Sequence, residues 1–396
     1  MLVQNNINTK VGTNTFMSLL AIAIFGIAAS TLIPIVCLAG AELLGTLSFE
    51  VLPTLLVFIG FLLCYLITRS IKHLLPFGII TLLIFALLGT SAISAAIPLC
   101  FLSVALLGYL CIVKGPIWLL ITSLVSLGIG FFITADPIIS IAAVIPSAVA
   151  LVLYISYRSG AMRVASVFRM TLVLIVGMLG IFLSYYLFFG SELSIEALRQ
   201  DFTDIRELMT GIINEAYTQI DQDLVSSEDI SAIVTTAVGT VFNLFPAILV
   251  ISLFVITYLI HSLFIAMVVT VEDDDEKIKK ALTFKMSLAS AIVFIAAFLF
   301  SAALEYDGHL MYSVALKNIY MILSPALTMV AFGFAGTFLK RENPSCFGYL
   351  LYISLFLALF RRPDIVFPLA SFAGAMVVII SSVGKKNKKE NDGKNL

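Results

Sequence analysis

Apolar residues run through this chain in stretches close to 20 long, most of them without a single charge inside. A helix rises about 1.5 Å per residue, so some 20 residues cross the hydrocarbon layer of a bilayer. The runs predict spanning helices at approximately 16–40, 51–68, 74–91, 95–113, 116–134, 137–157, 169–189, 241–271, 284–304, 318–339, 346–360 and 365–384. The third and fourth share one apolar stretch divided only by GTSAISAAIP, and the eleventh is short enough to be re-entrant, so the expected number is 10–12.

One segment breaks the pattern. From Glu192 to Leu224 polar residues return, yet Leu198, Phe202, Ile205, Met209, Ile212, Ala216 and Ile220 recur every three or four positions. That spacing is the stripe of an amphipathic helix, with Ser194 as its N-cap. Next, SSED (Ser226 to Asp229) has the form of a capping box with Asp in place of Glu. It predicts a second helix running through Ile233 and Val238 into the following span, so that the two form a helical hairpin. Gly239 to Val271 is itself 33 residues, about 50 Å of helix against a core near 30 Å. It must therefore tilt, kink at Pro246 or project beyond the lipid, and projection is the expectation.

Composition fixes the class. The chain of 396 residues is 61% hydrophobic and 12% charged, with mean hydropathy +1.10. A soluble domain carries about a quarter charged residues, and a β-barrel would show short alternating segments rather than continuous apolar ones. The fold class is all-α, a polytopic helical membrane protein in contact with the lipid bilayer.

Charge sets the expected orientation. With the N-terminus inside, 18 of the 23 Lys and Arg fall on the inner side. Lys/Arg bias in short loops governs topology. Both termini are then cytoplasmic, in a bacterial plasma membrane. The hairpin faces out, with ten acids against two bases between Gly190 and Gly239. The layout is a cytoplasmic N-terminus (1–15), a membrane bundle (16–190), the external segment (191–238), further spans (239–384) with an acidic and basic loop at 272–285, and a basic tail (385–396). Lys10 precedes Phe16 to Gly40, a run too long for the core of a signal peptide, which reads as a first span. For the external segment three readings stand: a cap over the span ends, a helix in the lipid interface, and a lid or docking face.

Candidate chemistry is sparse. His261, in TYLIHSLF, lies deep in the long span, either as a neutral histidine bonded to a carbonyl or as a ligand or relay group. Pro246 in the same span frees a backbone carbonyl and is a gating candidate. VEDDDEKIKK (271–280) lacks the donor spacing of a calcium loop and reads as a solvated loop or a docking surface for a cytoplasmic partner. Cys37, Cys64, Cys100, Cys111 and Cys346 stand singly in apolar runs, so neither a metal site nor a disulfide framework is expected. Small-xxx-small spacing at Gly26/Ser30 and Ala370/Gly374 matches close helix contacts. No catalytic motif, cofactor or nucleic-acid site is expected. Nor does an Asp, Glu, Lys or Arg fall near the middle of a predicted span, which argues against a self-powered carrier.

The order of elements, with ELSIEALRQDFTDIRELMTGIINEAYTQIDQDLVSSEDISAIV followed by FNLFPAILVISLF, resembles the YybS-like family of bacterial membrane proteins over residues 15 to 385. That family's first part is similar to the substrate-binding subunits of energy-coupling-factor transporters. The resemblance implies a six-helix binding fold within 16–190. It also implies a membrane or ATPase partner subunit, docked through small residues such as Ala21, Ala23, Gly26, Ala28 and Ala29. The expected function is a small-solute binding or transport component without its own energy source, the solute being largely apolar or neutral. The alternative is a structural or regulatory protein acting in envelope assembly through the external hairpin.

Overall fold

The computed structural model describes residues 51–68, 92–134, 144–189, 227–272, 274–339 and 363–394, with isolated positions between 77 and 84, at 138 and 142, and between 200 and 215. The expected spans 16–40 and 346–360, most of 74–91, and the docking residues Ala21 to Ala29 lie outside them. In chain order the helices are α1 (Val51–Thr68), α2 (Ala92–Lys114), α3 (Ile117–Thr134), α4 (Ile145–Arg158), α5 (Arg163–Phe189), α6 (Ser227–Val268), α7 (Asp275–Leu282), α8 (Leu288–Tyr306), α9 (Leu310–Leu339) and α10 (Pro363–Lys394). Among the described residues there is no strand. Among the described residues six segments are long and apolar enough to cross a membrane: Ile97–Lys114, Arg163–Ser184, Ala232–Val268, Leu288–Tyr306, Leu310–Ala335 and Val366–Val383.

The outward surface confirms the class. On α5, Leu172, Val176, Leu179, Leu183 and Leu187 recur every three or four residues and are all exposed. A soluble helix places charges on such a face; this one presents hydrocarbon to hydrocarbon.

The chain forms two compact units. The first comprises Met1–Phe188 with Leu253–Thr283, the second Phe189–Ser252 with Phe284–Leu396. α6 therefore contributes its first part to one and its last part to the other. It runs unbroken for 42 residues from Ser227 through Pro246, about 63 Å, so the helix expected to begin at SSED does continue into the span.

In the first unit α2 packs on α1, α3 and α4. Gly108 admits the close approach: a Cβ there would stand 3.1 Å from Leu153 and 3.2 Å from Phe264. α4 ends in a Schellman turn. Gly160 takes φ 65°, its N–H donates to Tyr157 C=O (3.0 Å), and Ala161 N–H donates to Ser156 C=O (2.9 Å). Glycine adopts that left-handed conformation without a Cβ penalty. α5 then begins at Arg163, six residues earlier than the expected span, so Arg163 and Arg169 belong to the helix and not to a loop.

In the second unit Ala291, Phe294, Leu327, Ala375 and Val378 form a core that joins α8, α9 and α10. Gly374 lies against the Leu327 carbonyl so closely that a Cβ would overlap the oxygen. The polar side chains here are spoken for. Ser371 bonds Thr328 (2.9 Å) and the Ser324 carbonyl (3.2 Å), Ser313 donates to the Ser301 carbonyl (2.9 Å), and Lys317 pairs with Glu305 (2.8 Å). Ile213 of the polar segment and Phe242 pack on Val234 and Val238. The expected stripe positions Ile205, Met209 and Ile212 are instead exposed, and Leu198, Phe202, Ala216 and Ile220 lie outside the described residues.

Two predictions follow from these contacts. Gly374→Ala forces α9 and α10 apart against backbone, a cost of about 1–3 kcal/mol. Gly333→Ala, where nothing lies within 4 Å of the added methyl, leaves detergent melting curves unchanged or slightly raised. Equal melting of the two variants would contradict the close packing.

Asp274, which caps α7, accepts from Lys277 N–H at 3.1 Å and pairs with Lys277 Nζ at 3.0 Å. The backbone N–H first, then the Lys277 side chain, hold its carboxyl below the ordinary value. A lowered folded value means the cap is intact above the unfolded carboxylate's pKa, about 3.9, and is lost as pH falls through the depressed one. Amide exchange across 275–282, corrected for intrinsic rate, accelerates on acidification, and Asp274→Asn removes that dependence.

Candidate functional site

α5 and the last part of α6 meet along a seam that alternates aromatic and polar residues. Phe168 packs on Phe254 with ring centroids 5.2 Å apart. One turn on, the hydroxyls of Thr171 and Thr257, both buried, bond each other at 2.9 Å. Towards the start of α5 the seam becomes strongly polar. Arg163 N–H donates to the Thr283 carbonyl (3.2 Å). Its guanidinium lies 4.1 Å from the centroid of the Tyr258 ring and donates to Ser262 Oγ. Ser262 has already given its own proton to the Tyr258 carbonyl (2.8 Å), which leaves its lone pairs to accept from Arg163.

His261 adjoins this contact. It is only 2% exposed and stands seven residues before the end of α6, about 10 Å along the axis. Three residues later Phe264 meets the Tyr157 ring edge-on at 5.6 Å, which brings the end of α4 to the same face.

Here polar groups go unpaired. Tyr157 OH, Arg163 Nε, Ser166 Oγ and His261 Nδ1 are buried with no hydrogen-bond partner, as is Ser147 Oγ further along α4. All five belong to the first unit. Each such atom costs about 1–3 kcal/mol while it stays unpartnered. The first four lie on α4, α5 and α6 within a turn or so of the Arg163–Ser262 contact or of the Tyr157–Phe264 ring pair. Arg163 has no carboxylate partner among the described residues, where the ion pairs are Lys277–Asp274, Lys280–Glu276 and Lys317–Glu305.

Of the two residues that sequence singled out, His261 lies at the centre of this seam. Pro246 belongs to the second unit and is exposed. Its ring removes an N–H and strains the turn before it. Asn318 braces the helix here: its Oδ1 accepts from Ala247 N–H (3.0 Å) and its Nδ2 donates to Asn243 C=O (2.9 Å). Those are the donor and acceptor of a single i to i−4 step, so the amide splices a side chain into the ladder beside the proline. In this structure Pro246 is a supported irregularity, not a second ligand residue.

Sequence reasoning passed over Arg163, Tyr157, Ser166 and Asn318. The signal for Arg163 was Gly160: a glycine ending α4 lets the next helix begin three residues later, with Arg163 as its first residue.

The family pattern of DUF2232, described as a predicted membrane protein, matches residues 79–363, and the chain belongs to that family. The matched region runs from before α2 to the start of α10 and takes in the whole seam. No curated protein and no solved structure matches the chain.

If Asn318 compensates for Pro246, the two side chains are thermodynamically coupled. Asn318→Ala costs about 1–3 kcal/mol in the wild-type background, because an N–H and a C=O lose their partner. In Pro246→Ala, where the ladder closes by itself, it costs less. A double-mutant cycle read from thermal unfolding gives the coupling; strict additivity would show that the amide does not serve the proline.

Proposed function

We propose that this DUF2232 protein is a solute-binding or transport component without an energy source of its own, and that its solute is held at the seam of Tyr157, Arg163, Ser166 and His261. One observation carries the reading: the unpartnered buried polar atoms are all in one unit, and four of them gather where α4, α5 and α6 meet. A helix pair that satisfies Thr171 and Thr257 one turn away has no packing reason to leave them bare. A bound solute would supply the missing partners. The role is binding and passage, not bond-making.

On this reading both termini are cytoplasmic in a bacterial plasma membrane, the orientation the Lys/Arg bias favours. The seam end that carries Arg163 then lies toward the cytoplasmic side, with Arg158, Arg169 and the lysines of α7. The resemblance to energy-coupling-factor binding subunits supports a separate membrane or ATPase partner.

A second reading has its own observation. Ile205, Leu208, Met209 and Ile212 are exposed on the segment that the Lys/Arg bias puts outside the membrane, which favours a structural or regulatory role in envelope assembly. Deleting 194–224 separates the two: loss of an envelope partner with solute uptake intact selects the second, and loss of uptake alone selects the first.

The direct test purifies the full chain with its native neighbours in mild detergent and identifies retained small molecules by mass spectrometry. We expect a retained solute, and we expect Ser166→Ala and His261→Phe to lose it while melting at the wild-type temperature or above, since each removes an orphaned polar group. The proposal fails if the wild type retains nothing and no solute shifts its melting. It fails equally if both variants melt well below wild type while still retaining the solute.

A further inference from the structure

We infer that the seam binds an anionic oxygen group, a carboxylate or a phosphate, through Arg163 at the start of α5. This rests on the binding reading above and replaces the neutral solute expected from the sequence.

Arg163 carries the argument. A guanidinium offers five N–H donors and is always charged. Here one terminal nitrogen donates to Ser262 Oγ, the ring of Tyr258 covers one face, and Nε is buried without an acceptor. No carboxylate among the described residues neutralises it. The residue is half-buried; a partly desolvated charge without a counterion is unfavourable, and an anion is the partner it lacks.

The helix end adds to this. α5 is 27 residues long and has no acid in its first turn, although its N-terminus carries the positive end of the helix dipole and normally attracts one. It begins with Arg163 instead and carries Arg169 six residues on. The nearby α7 shows the ordinary solution, with Asp274 as cap and Asp275 and Glu276 in the first turn. Those acids do not serve Arg163: Asp274 pairs with Lys277 and Glu276 with Lys280. Helix N-termini are ready anion sites; at this one the Arg163 N–H is given to the Thr283 carbonyl, and further orphaned polar groups flank the end. Ser166 Oγ stands one turn along α5, and His261 Nδ1 belongs to the residue before Ser262. A neutral imidazole protonated on Nδ1 and a serine hydroxyl both donate to oxygen. Arg163 thus supplies donors only, and Ser166 and a His261 protonated on Nδ1 can each add one.

The oxyanion has two possible sources, the headgroup of an acidic lipid or a small free anion. The test uses the full chain in neutral detergent, with thermal unfolding measured against inorganic phosphate and against acetate at ionic strength held constant with chloride. It is repeated in nanodiscs of phosphatidylcholine with and without phosphatidylglycerol. We expect a saturable rise in melting temperature from at least one anion. Its apparent affinity falls at least about tenfold in Arg163→Gln, the loss of a charge-assisted bond, and partly recovers in Arg163→Lys. A rise with phosphate or acetate identifies a free solute; a rise with phosphatidylglycerol alone identifies a lipid headgroup. Should Arg163→Gln fail to fold, native mass spectrometry of the wild type for a bound phosphate, carboxylate or acidic lipid decides, and finding none overturns the inference. So does an anion effect no greater than chloride's, or one unchanged in Arg163→Gln. Retention of a neutral solute without any anion effect would sink this inference and leave the binding role standing.

Discussion

In hydrocarbon a polar group that finds no partner inside the protein finds none at all, because water is not there to take its place. That constraint shapes every helix described above. It explains why hydroxyls along the spans bond their own backbone one turn back, as Thr122 does to Trp118, Ser184 to Gly180 and Ser324 to Tyr320. It also explains why an interior proline needs a neighbour's help. Where α6 meets Pro246, the amide of Asn318 reaches across from α9 to hold the donor and the acceptor of one helical step. The same amide also donates to the Val314 carbonyl of its own helix (3.0 Å).

Under that constraint the two units behave differently. In the second, close helix contact and polar pairing reinforce one another. Gly374 brings α10 onto the Leu327 carbonyl, and at that short separation Ser371 reaches both Thr328 and the Ser324 carbonyl. The result is a packed bundle around Phe294 and Leu327, with no buried unpartnered side-chain polar atom among its described residues. The first unit is packed as tightly around Leu106, Leu153 and Phe264, yet it leaves polar atoms bare. Tolerating such a cost in one place while avoiding it elsewhere is how proteins keep a site ready for something that is not always bound.

Much of the scaffold was legible in the sequence. The span expected at 51–68 coincides with α1, and those at 95–113 and 116–134 fall within three residues of α2 and α3. Long apolar runs dictate helices in lipid almost without regard to context. The helix expected to start near SSED and run into the next span is α6, although its direction of projection is not something a hydropathy pattern encodes. The site was less legible, for a physical reason. His261 could be picked out because an imidazole is anomalous within any apolar run. Arg163 could not, because an arginine beside a turn is ordinary until the helix register places it under Tyr258 and Ser262, 95 and 99 residues away. Asn318 was invisible in the same way: its role exists only through Asn243 and Ala247. Spacing along a chain reports which face of a helix a residue occupies, but not which helix will meet that face.

The seam itself shows why its bare atoms are not a packing fault. Along the same two helices Phe168 meets Phe254, Thr171 meets Thr257, and Arg163 meets Ser262 and Tyr258, an ordered series of contacts. A misfitted interface would leave orphans scattered, and would leave them in the second unit too. Here most of them fall between the Thr171–Thr257 hydroxyl pair and the helix ends. A group that is costly alone and inexpensive once partnered couples occupancy to stability. Binding at the seam would therefore stiffen α5 against α6, with no contribution needed from the rest of the fold.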